Sequence, residues 1–291
     1  MQRAAGHGET GKPTLYVVAT PIGNLKDVTL RALEIFRQVD VIAAEDTRVT
    51  AKLLHHYGIA AKKVMSLHGH NEQRAAPQVL ALLEAGRSVA LASDAGTPAF
   101  SDPGARLVAA VRDGGYPVVP IPGPNAAAAA LSVSGLADPH FVFYGFLPAK
   151  AGERRKAIET LARLPYLLVF YEAPHRVLDA VGDLAAVLGD ARRIVIAREL
   201  TKLFETIHAC DLGEAHGWLD SDPDRVKGEF VLIVEGAPLQ DEAALTDAKR
   251  TLEILLEELP LKQAAALAAR ITGARKNELY QLALELQKRD S

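Results

Sequence analysis

Two segments rich in glycine and proline combine polar side chains with a backbone that a ligand can approach closely. Residues 93–104 (SDAGTPAFSDPG) hold two carboxylates, and residues 121–126 (IPGPNA) lead into a run of alanines. Close backbone groups beside a carboxylate suit a small zwitterion that carries an ammonium group and ribose hydroxyls. Either segment alone could equally be an ordinary strand-to-helix connection. Because the two occur at neighbouring positions of one pattern, together they predict a cofactor site.

Charged side chains follow three other apolar runs. They occur in residues 45–48 (EDTR), 171–176 (YEAPHR) and 198–206 (RELTKLFET). Charged clusters at the end of a strand indicate either a ligand site or a salt-bridged helix cap. We favour a ligand role for residues 45–48, and the other two segments likewise stand at strand ends.

A basic stretch follows an aromatic segment in the second half of the chain. Residues 143–148 (FYGFLP) precede Lys150, Arg154, Arg155 and Lys156. Aromatic rings beside cations offer single-stranded RNA both stacking faces and phosphate partners. The stretch therefore predicts RNA contacts, and the alternative is a helix face that is merely solvated.

Several common cofactor and metal patterns are missing from the sequence. Residues 20–24 (TPIGN) stand where a nucleotide-binding fold would have its glycine fingerprint, but they contain no paired glycines. A dinucleotide site is therefore disfavoured, and no Walker pattern follows a strand. Cys210 is the only cysteine, and the histidines at 55–56 and 68–70 fall on a helix end and a separate loop. We expect no metal site.

The polar segments follow the strands of two predicted sheets. From residue 15 onwards, short apolar runs alternate with helical patterns, which is typical of βαβ units and a parallel sheet. Strands are predicted at 15–19, 39–43, 64–67, 88–92 and 117–120 for the first sheet, and at 141–144, 167–171, 193–197, 206–209 and 230–235 for a second, mixed sheet. Ligands of open α/β sheets lie beyond the carboxyl ends of the strands. The predicted fold class is α/β, with the functional residues at strand ends.

Three structured regions are expected along the chain. An N-terminal α/β domain over 13–137 precedes a C-terminal α/β domain over 138–240, and the lack of a Gly/Ser linker predicts that they pack and share a cleft. Residues 241–291 show no strand pattern and predict a helical tail, with two helices around Gly273. That tail could be a helix-turn-helix or could only cover the second domain. Residues 1–12 are expected to be a flexible tail.

The composition is that of a globular protein. The 291 residues are 49% hydrophobic and 24% charged, with a formal net charge of -3. An RNA partner would therefore have to meet local basic patches, because no global positive field is present. No apolar run approaches the roughly 20 residues of a membrane span, and the N-terminus lacks a signal-peptide pattern. We expect a cytoplasmic protein that does not enter a membrane.

Taken together, the polar segments resemble one known family. Over residues 14–286 the chain resembles the ribosomal RNA small subunit methyltransferase I family, which belongs to the tetrapyrrole methylase superfamily. The motifs that carry the resemblance are ATPIGNL (19–25), AEDTR (44–48), SDAGTP (93–98), SDPG (101–104), PGPNA (122–126), FYEAPHR (170–176), RELTK (198–202), KGEFV (227–231) and LPLKQAA (259–265). Each motif alone is modestly specific, whereas their number and order make the match strong.

The resemblance implies a class III methyltransferase, with S-adenosylmethionine bound in a cleft between two α/β domains, a helical tail, and a homodimer. The implied reaction moves a methyl group to the ribose 2′-hydroxyl of a cytidine in the decoding region of small-subunit ribosomal RNA. By position, the implied cofactor residues are Pro21, Gly23, Asp94, Gly96, Thr97, Ser101, Asp102, Pro122, Gly123, Asn125, Ala126, Tyr171, Glu172 and Ala173. Tetrapyrrole-modifying relatives have Gly-Asp-Pro where this chain has Gly96-Thr97-Pro98. The acidic role is therefore expected at Asp94 or Asp102.

Methylation of a hydroxyl requires in-line positioning and then removal of a proton. The candidate catalytic groups are Asp46, Glu172 and Glu205 as bases or orienting groups, with Lys202 as a phosphate or hydroxyl partner. Arg48 and Arg198 join Lys150, Arg154, Arg155 and Lys156 as predicted RNA contacts. One alternative is a methyltransferase for a tetrapyrrole or another small molecule, against which the basic stretch and the helical tail argue. The other is a non-catalytic RNA-binding module, which has no use for a deep polar pocket.

Overall fold

The computed structural model describes residues 12–60, 62–69, 71–238, 242–274 and 276–289. The chain divides into two compact units, of which the larger comprises Met1–Glu159 and Leu167–Val234 and the smaller comprises Thr160–Tyr166 and Glu235–Ser291. Of the tail that was expected to be flexible, only Lys12 lies within the described residues. The domain boundaries expected after residues 137 and 240 stay predictions.

The larger unit contains a five-stranded sheet in which every neighbouring pair of strands is parallel. Its strands are β1 (Leu15–Val18), β2 (Val41–Ala44), β3 (Lys63–Ser66), β4 (Val89–Ala92) and β5 (Val118–Ile121), in the order β3-β2-β4-β1-β5. β2 and β4 are buried along their whole length, as expected for a sheet with helices on both faces. The predicted parallel sheet is confirmed, with strand bounds that shift by one or two residues.

Five helices connect and cover these strands: α1 (Leu30–Gln38), α2 (Thr47–His56), α3 (Glu72–Glu84), α4 (Ala105–Asp113) and α5 (Ala126–Val133). α1 and α2 pack on one face of the sheet, where Phe36 is fully buried. α3 and α4 pack on the other face around Leu83 and Leu107. Burial of each such side chain stabilises the fold by about 1.5–3 kcal/mol. With both faces covered, the strand ends are what remains accessible for a ligand.

A second sheet of five strands belongs to the same unit. Its strands are β6 (Phe141–Phe146), β7 (Leu167–Glu172), β8 (Arg193–Arg198), β9 (Thr206–Asp211) and β10 (Phe230–Val234), in the order β6-β7-β10-β8-β9. Only the β6–β7 pair is parallel, which confirms the predicted mixed sheet. The helices α6 (Ala151–Leu161), α7 (Val177–Leu188) and α8 (Leu212–Asp220) accompany it.

The alanine-rich helix α5 joins the two sheets. It follows β5 of the first sheet, and its buried Ala127 and Ala130 lie in one apolar cluster with Val169, Val195 and Val231 of the second sheet. Because their side chains are small, these alanines let the helix approach the sheet closely. The carboxyl ends of the first sheet are thereby brought against the second sheet.

The smaller unit contains three helices, namely α9 (Glu242–Glu258), α10 (Leu261–Thr272) and α11 (Lys276–Arg289). Their apolar core includes the fully buried Leu252, Ala268 and Ala283. α10 ends at Gly273, which has φ 74° and so uses the left-handed conformation that glycine adopts without strain. The predicted helical tail with a turn at Gly273 is confirmed. None of the helices in the described ranges is long and apolar enough to cross a membrane.

Candidate functional site

A cavity of about 320 Å³ lies in the larger unit where the loops of the first sheet meet the second sheet. This volume is in the range of small-molecule sites, about 300–1,000 Å³. The first sheet contributes the loops after β1, β4 and β5, and the second contributes the ends of β6, β7, β8 and β10. The lining residues are Ile22, Ala95, Gly96, Thr97, Phe100, Ser101, Asp102, Asn125, Ala126, Phe146, Tyr171, Glu172, Ala173, Pro174, Ala197, Leu200, Glu229, Phe230 and Val231.

Most of the predicted cofactor residues belong to this lining. They are Gly96, Thr97, Ser101, Asp102, Asn125, Ala126, Tyr171, Glu172 and Ala173. The other five, Pro21, Gly23, Asp94, Pro122 and Gly123, lie in the same loops but are not part of the lining. The structure thus brings together residues that are up to 77 positions apart in sequence (Gly96 to Ala173). Their individual roles toward a cofactor stay predictions.

Backbone contacts hold the loops after β1, β4 and β5 to one another. Thr20 and Gly96 form a two-way bridge, with N···O distances of 2.9 and 3.0 Å. The Thr97 hydroxyl donates to the carbonyl of Pro124 at 3.1 Å. Within the β4 loop, Ala99 and Ser101 have φ of 65° and 66°, which side-chain-bearing residues seldom adopt. Strained backbone of this kind is concentrated at functional sites because the surrounding contacts must enforce it.

A carboxylate of α3 holds the C-terminal end of the loop after β4. Glu72 of α3 is 7% exposed, and its Oε1 accepts hydrogen bonds from the backbone N–H groups of Gly104, Arg106 and Leu107 at 3.0, 2.8 and 3.1 Å. α4 has no side-chain cap of its own. Glu72 therefore supplies the N-terminal cap of α4 and anchors the loop that carries Ser101 and Asp102.

The β4 loop places Asp102 among other carboxylates. Burial, together with the negative charges of Glu45 and Asp94, raises the pKa of Asp102 to about 6, although a hydrogen bond with Ser93 acts in the opposite direction. Burial also raises the pKa of Glu45. Asp94 itself accepts a hydrogen bond from the backbone N–H of Asp46 at 2.9 Å. A carboxylate with this pKa is ionised at neutral pH and basic enough to accept a proton in catalysis.

Asp46, which the sequence suggested as a base, has a different environment. Its carboxylate caps α2 and pairs with Arg48, with 2.6 Å between Oδ2 and a guanidinium nitrogen. The hydrogen bonds from Arg48 lower the pKa of Asp46 to about 2. An acid of this strength is a poor proton acceptor. The Arg48 side chain is 84% exposed, and its predicted contact with RNA stays a prediction.

Glu172 ends β7 inside the cavity. It is 2% exposed, and its Oε1 accepts a hydrogen bond from the backbone N–H of Ala173 at 2.9 Å. Nε of Arg176 lies 3.3 Å from the same oxygen, without hydrogen-bond geometry. Oε2 is buried and has no hydrogen-bond partner in the described part of the chain. Burial raises the pKa of Glu172, so this carboxylate is poised to accept a ligand's donor or a proton.

The loop between β8 and β9, residues 199–205, is braced by its own charged groups. Nζ of Lys202 lies 2.8 Å from carboxylate oxygens of both Glu199 and Glu229. Burial alone would lower the pKa of Lys202, but these two hydrogen bonds outweigh it and raise the pKa. The Glu205 carboxylate accepts a hydrogen bond from the backbone N–H of Thr201. Lys202 and Glu205, both suggested as catalytic residues, therefore hold the loop in shape.

Two of the predicted RNA contacts are enclosed by the fold. Arg198 is 9% exposed and donates to the backbone carbonyls of Lys227, Phe204 and Asp224 at 2.7, 3.0 and 2.7 Å. Arg154 is 3% exposed, and its Nε lies 2.6 Å from a carboxylate oxygen of Asp183. Neither guanidinium faces solvent. We therefore leave both out of the RNA surface proposed below.

The other cations of the basic stretch are accessible. Lys150 and Lys156 are exposed, and Arg155 keeps 58% of its side chain exposed while it pairs with the second oxygen of Asp183. The described residues contain no group of three or more His, Cys, Asp or Glu side chains that could hold a metal ion. His70, one of the four closely spaced histidines, lies outside the described residues.

Known families match almost the whole chain. A family model described as Tetrapyrrole (Corrin/Porphyrin) Methylases matches residues 14–216, and one described as RsmI C-terminal HTH domain matches residues 242–287. An Escherichia coli O157:H7 protein named Ribosomal RNA small subunit methyltransferase I is 55% identical over 273 residues, which are 94% of this chain and 95% of that protein. The chain belongs to the ribosomal RNA small subunit methyltransferase I family.

Proteins of the same name from other organisms agree with this assignment. The Haemophilus influenzae protein is 52% identical and covers 93% of this chain and 96% of its own length. The Pseudomonas aeruginosa protein is 50% identical and covers 94% and 98%. The family resemblance found in the motifs is confirmed.

Solved structures of other methyltransferases have the same architecture. The methyltransferase CobJ matches with a TM-score of 0.59 and 20% identity, over 78% of this chain and 95% of its own. A uroporphyrin-III-C-methyltransferase from Thermus thermophilus matches with a TM-score of 0.53 and 18% identity, over 77% and 94%. At these identities the likeness concerns the fold alone, and together with the family model over residues 14–216 it confirms the predicted tetrapyrrole methylase fold.

Motifs of the ribosomal RNA small subunit methyltransferase I family revealed the polar wall of the cavity but not its apolar wall. Phe100, Phe146, Leu200 and Val231 line the cavity, although none was predicted as a cofactor residue. In sequence such residues cannot be told from core positions. The one available signal was their place beside the polar motifs, since Phe100 stands directly before Ser101 and Leu200 stands inside RELTK.

Proposed function

We propose that the chain uses S-adenosylmethionine to methylate small-subunit ribosomal RNA, at the 2′ oxygen of a cytidine ribose in the decoding region. The observation that carries the proposal is 50–55% identity, over nearly the full chain, with proteins named Ribosomal RNA small subunit methyltransferase I. The cytidine and the 2′ oxygen rest on the motif resemblance. The geometry of the cavity supports a methyl transfer of this kind.

The cavity suits S-adenosylmethionine in size and chemistry. Ile22, Phe100 and Phe146 offer apolar and aromatic surface for a flat base, and Asp102 and Glu172 offer negative charge for a cation. Oε2 of Glu172 can accept a hydrogen bond from a ligand N–H or O–H group, which a buried oxygen without a partner requires. We propose that the predicted cofactor residues in the lining hold the cofactor here.

When bound, S-adenosylmethionine supplies a methyl group on a sulfonium sulfur, which leaves as a neutral thioether when the ribose oxygen bonds to the methyl carbon. The chain must hold the ribose in line and accept the hydroxyl proton. We assign the proton to a carboxylate oxygen of Asp102, since its pKa of about 6 combines ionisation with basicity. Glu172 stays a candidate for recognising the cofactor.

The RNA surface is proposed from the exposed cations. Lys150, Arg155, Lys156 and Arg48 are accessible to phosphates. Because the net charge is -3, binding to RNA has to come from such local groups. The homodimer implied by the motif resemblance and a location in the cytoplasm are part of the same proposal, and sedimentation of the purified protein tests the dimer.

The proposal is tested by methyl transfer from labelled S-adenosylmethionine to purified small ribosomal subunits that lack the modification. We expect label in the RNA, and nuclease digestion with mass spectrometry should place it on the 2′ oxygen of one cytidine. Fully modified subunits are the matched control and should accept no label. Tight binding of the cofactor without RNA labelling would contradict the proposal and favour a small-molecule acceptor.

A further inference from the structure

The loop at 199–205 carries two large apolar side chains that point into solvent. Leu203 is 89% exposed, and Phe204 is 65% exposed, which is more than any other large aromatic side chain recorded as exposed in the described residues. Single exposed apolar residues are common and need no explanation. An adjacent pair on a loop that is otherwise tightly held is less ordinary.

The loop that presents this pair is rigid for several independent reasons. Its carbonyl at Phe204 accepts a hydrogen bond from the buried Arg198 guanidinium at 3.0 Å. Lys202 forms ion pairs with Glu199 of the same loop and with Glu229, which directly precedes β10. Glu199 and Thr201 have φ of 51° and 66°, and with Ala99 and Ser101 they are the only non-glycine residues of the described chain with positive φ. Positive φ in the connection between two antiparallel strands is usually taken by Gly, Asn or Asp, whereas here Glu199 and Thr201 adopt it.

The same loop borders the cavity. Leu200 of the loop is part of the cavity lining. Ala197 of β8 and Glu229, which directly precedes β10, also line it. The loop also touches the segment after β1, because the backbone N–H of Asn24 donates to the hydroxyl of Thr201 at 3.0 Å. A Cβ on Gly23 would lie only 2.5 Å from Cγ of Lys202. The loop that carries Leu203 and Phe204 thus adjoins the cavity through Leu200.

We propose that Leu203 and Phe204 form a stacking platform for a nucleobase of the substrate RNA, at the target nucleotide or its neighbour. The inference rests on the proposed function and specifies how its substrate is held. The ribose has to reach the cavity, so the adjoining bases must be unstacked and supported outside it. Aromatic side chains support splayed bases of single-stranded RNA by stacking. Preorganisation of the loop avoids an entropic cost of ordering it when RNA binds.

A second copy of the chain is the competing occupant of this platform. A specific protein interface buries about 800 Å² on each partner. Two adjacent side chains offer only a small part of that area, and the groups beside them are charged: Lys202 and Glu205. The same loop also lines the cavity through Leu200, which a substrate contact explains and self-association does not.

The test compares Phe204→Ala with Phe204→Trp and with Phe141→Ala. Phe141 is a matched control, because it is 50% exposed and starts β6, five residues before the cavity residue Phe146 and hence about 16 Å away along the strand. For each variant, methylation kinetics on unmodified small subunits, cofactor affinity by calorimetry, and the oligomeric state by sedimentation are measured. Circular dichroism verifies the fold.

We expect Phe204→Ala to lower kcat/KM for the subunit by about 5- to 100-fold, chiefly through KM, as loss of one stacked base predicts. Cofactor affinity and oligomeric state should not change. Phe204→Trp should keep most of the activity, and Phe141→Ala should match the unaltered protein. The proposed stacking role would be overturned if Phe204→Ala and Phe141→Ala had equal kinetics. It would also be overturned if Phe204→Ala dissociated a dimer. Failure of the unaltered protein to label RNA would instead overturn the proposed function itself.

Discussion

Two loops border the cavity, namely residues 93–104 after β4 and residues 199–205 after β8. They share an unusual backbone conformation but differ in the electrostatic state of their charged groups. Each contains two non-glycine residues with positive φ. In the first, burial and neighbouring negative charges leave Asp102 with a raised pKa. In the second, burial alone would raise the pKa of Glu199, but hydrogen bonds from Lys202 and the Glu229 backbone lower it. A loop with strained backbone can therefore hold either a carboxylate that is able to accept a proton or a carboxylate that is already hydrogen-bonded. The electrostatic surroundings distinguish the two.

The anchors of the two loops differ in the same way. The first loop is anchored by Glu72, a buried carboxylate that accepts three backbone hydrogen bonds. The second is anchored by Lys202, an ion-paired side chain that keeps 28% of its surface exposed. Buried hydrogen bonds are expensive to remove, whereas partly exposed ion pairs contribute little. The comparison thus predicts a large effect at the first loop and a small one at the second.

The largest effect is expected from Asp102→Asn, which removes the proposed proton acceptor. The methylation rate at neutral pH should fall by about 10²- to 10⁴-fold. In the unaltered protein the rate should rise with pH through about 6, where Asp102 loses its proton, and then level off. Asp113→Asn, at the exposed end of α4, is the matched control and should change neither quantity. An unaltered pH profile in the active Asp102→Asn enzyme would show that another group accepts the proton.

The same substitution should raise stability. The pKa of Asp102 in the folded state, about 6, exceeds its usual value of 3.8, so ionisation favours the unfolded chain. The penalty grows as pH rises from 3.8 to about 6 and is constant above that. With a discount for its partial exposure, Asp102→Asn should stabilise the fold by about 1–2 kcal/mol at pH 7 and not at all at pH 3. Denaturant titrations at the two pH values measure this, and lower stability of the variant at pH 7 would contradict the electrostatic picture of the first loop.

The largest loss of stability is expected from Glu72→Ala, which removes the buried anchor of the first loop. Three backbone N–H groups lose their acceptor, and α4 loses its cap, so the free energy of unfolding should fall by about 2–4 kcal/mol. Glu72→Gln keeps an acceptor oxygen and should cost less. Glu84→Ala, exposed at the end of the same helix, is the control. Equal stability of the Glu72 and Glu84 variants in chemical denaturation would mean that the anchor is not what holds the loop.

The smallest effect is expected from Lys202→Met, which removes the brace of the second loop. Because the ion pairs are partly exposed, the loss of stability should be about 1 kcal/mol. KM for the RNA substrate should rise more than kcat falls, since the loop is proposed to support the substrate and Lys202 not to take part in proton transfer. Lys227→Met, which breaks the exposed pair with Asp224, is the control and should affect neither. If kcat at saturating RNA instead fell by about two orders of magnitude, Lys202 would be restored as a catalytic residue.

Much of the fold could be predicted because its signals are local. Each strand is a short apolar run, and each helix repeats its apolar residues with the helical period. Both properties are visible without knowledge of partners. The turn at Gly273 could be predicted for the same reason, since glycine reports a backbone requirement at its own position.

The site could be predicted only as a set of residues. The polar motifs identified Asp102 and Glu172 as site residues, and both line the cavity. The raised pKa of Asp102 depends on burial and on Glu45, which is 57 positions away in sequence, whereas the lowered pKa of Asp46 depends on Arg48, only two positions away. Arg154 and Arg198 show the same limit, because the sequence marks them as cations and only the fold encloses them.

The sequence by itself determined the two α/β sheets, the helical C-terminal region, the family, and the segments that meet at the cavity, since motif order and hydrophobic periodicity are properties of the chain. Only the tertiary structure decided which carboxylate becomes basic, which cations are buried, and which loop presents Phe204 to solvent. Burial and Coulomb interactions act through space between residues that the chain separates. A pKa or an exposure is therefore fixed only after folding.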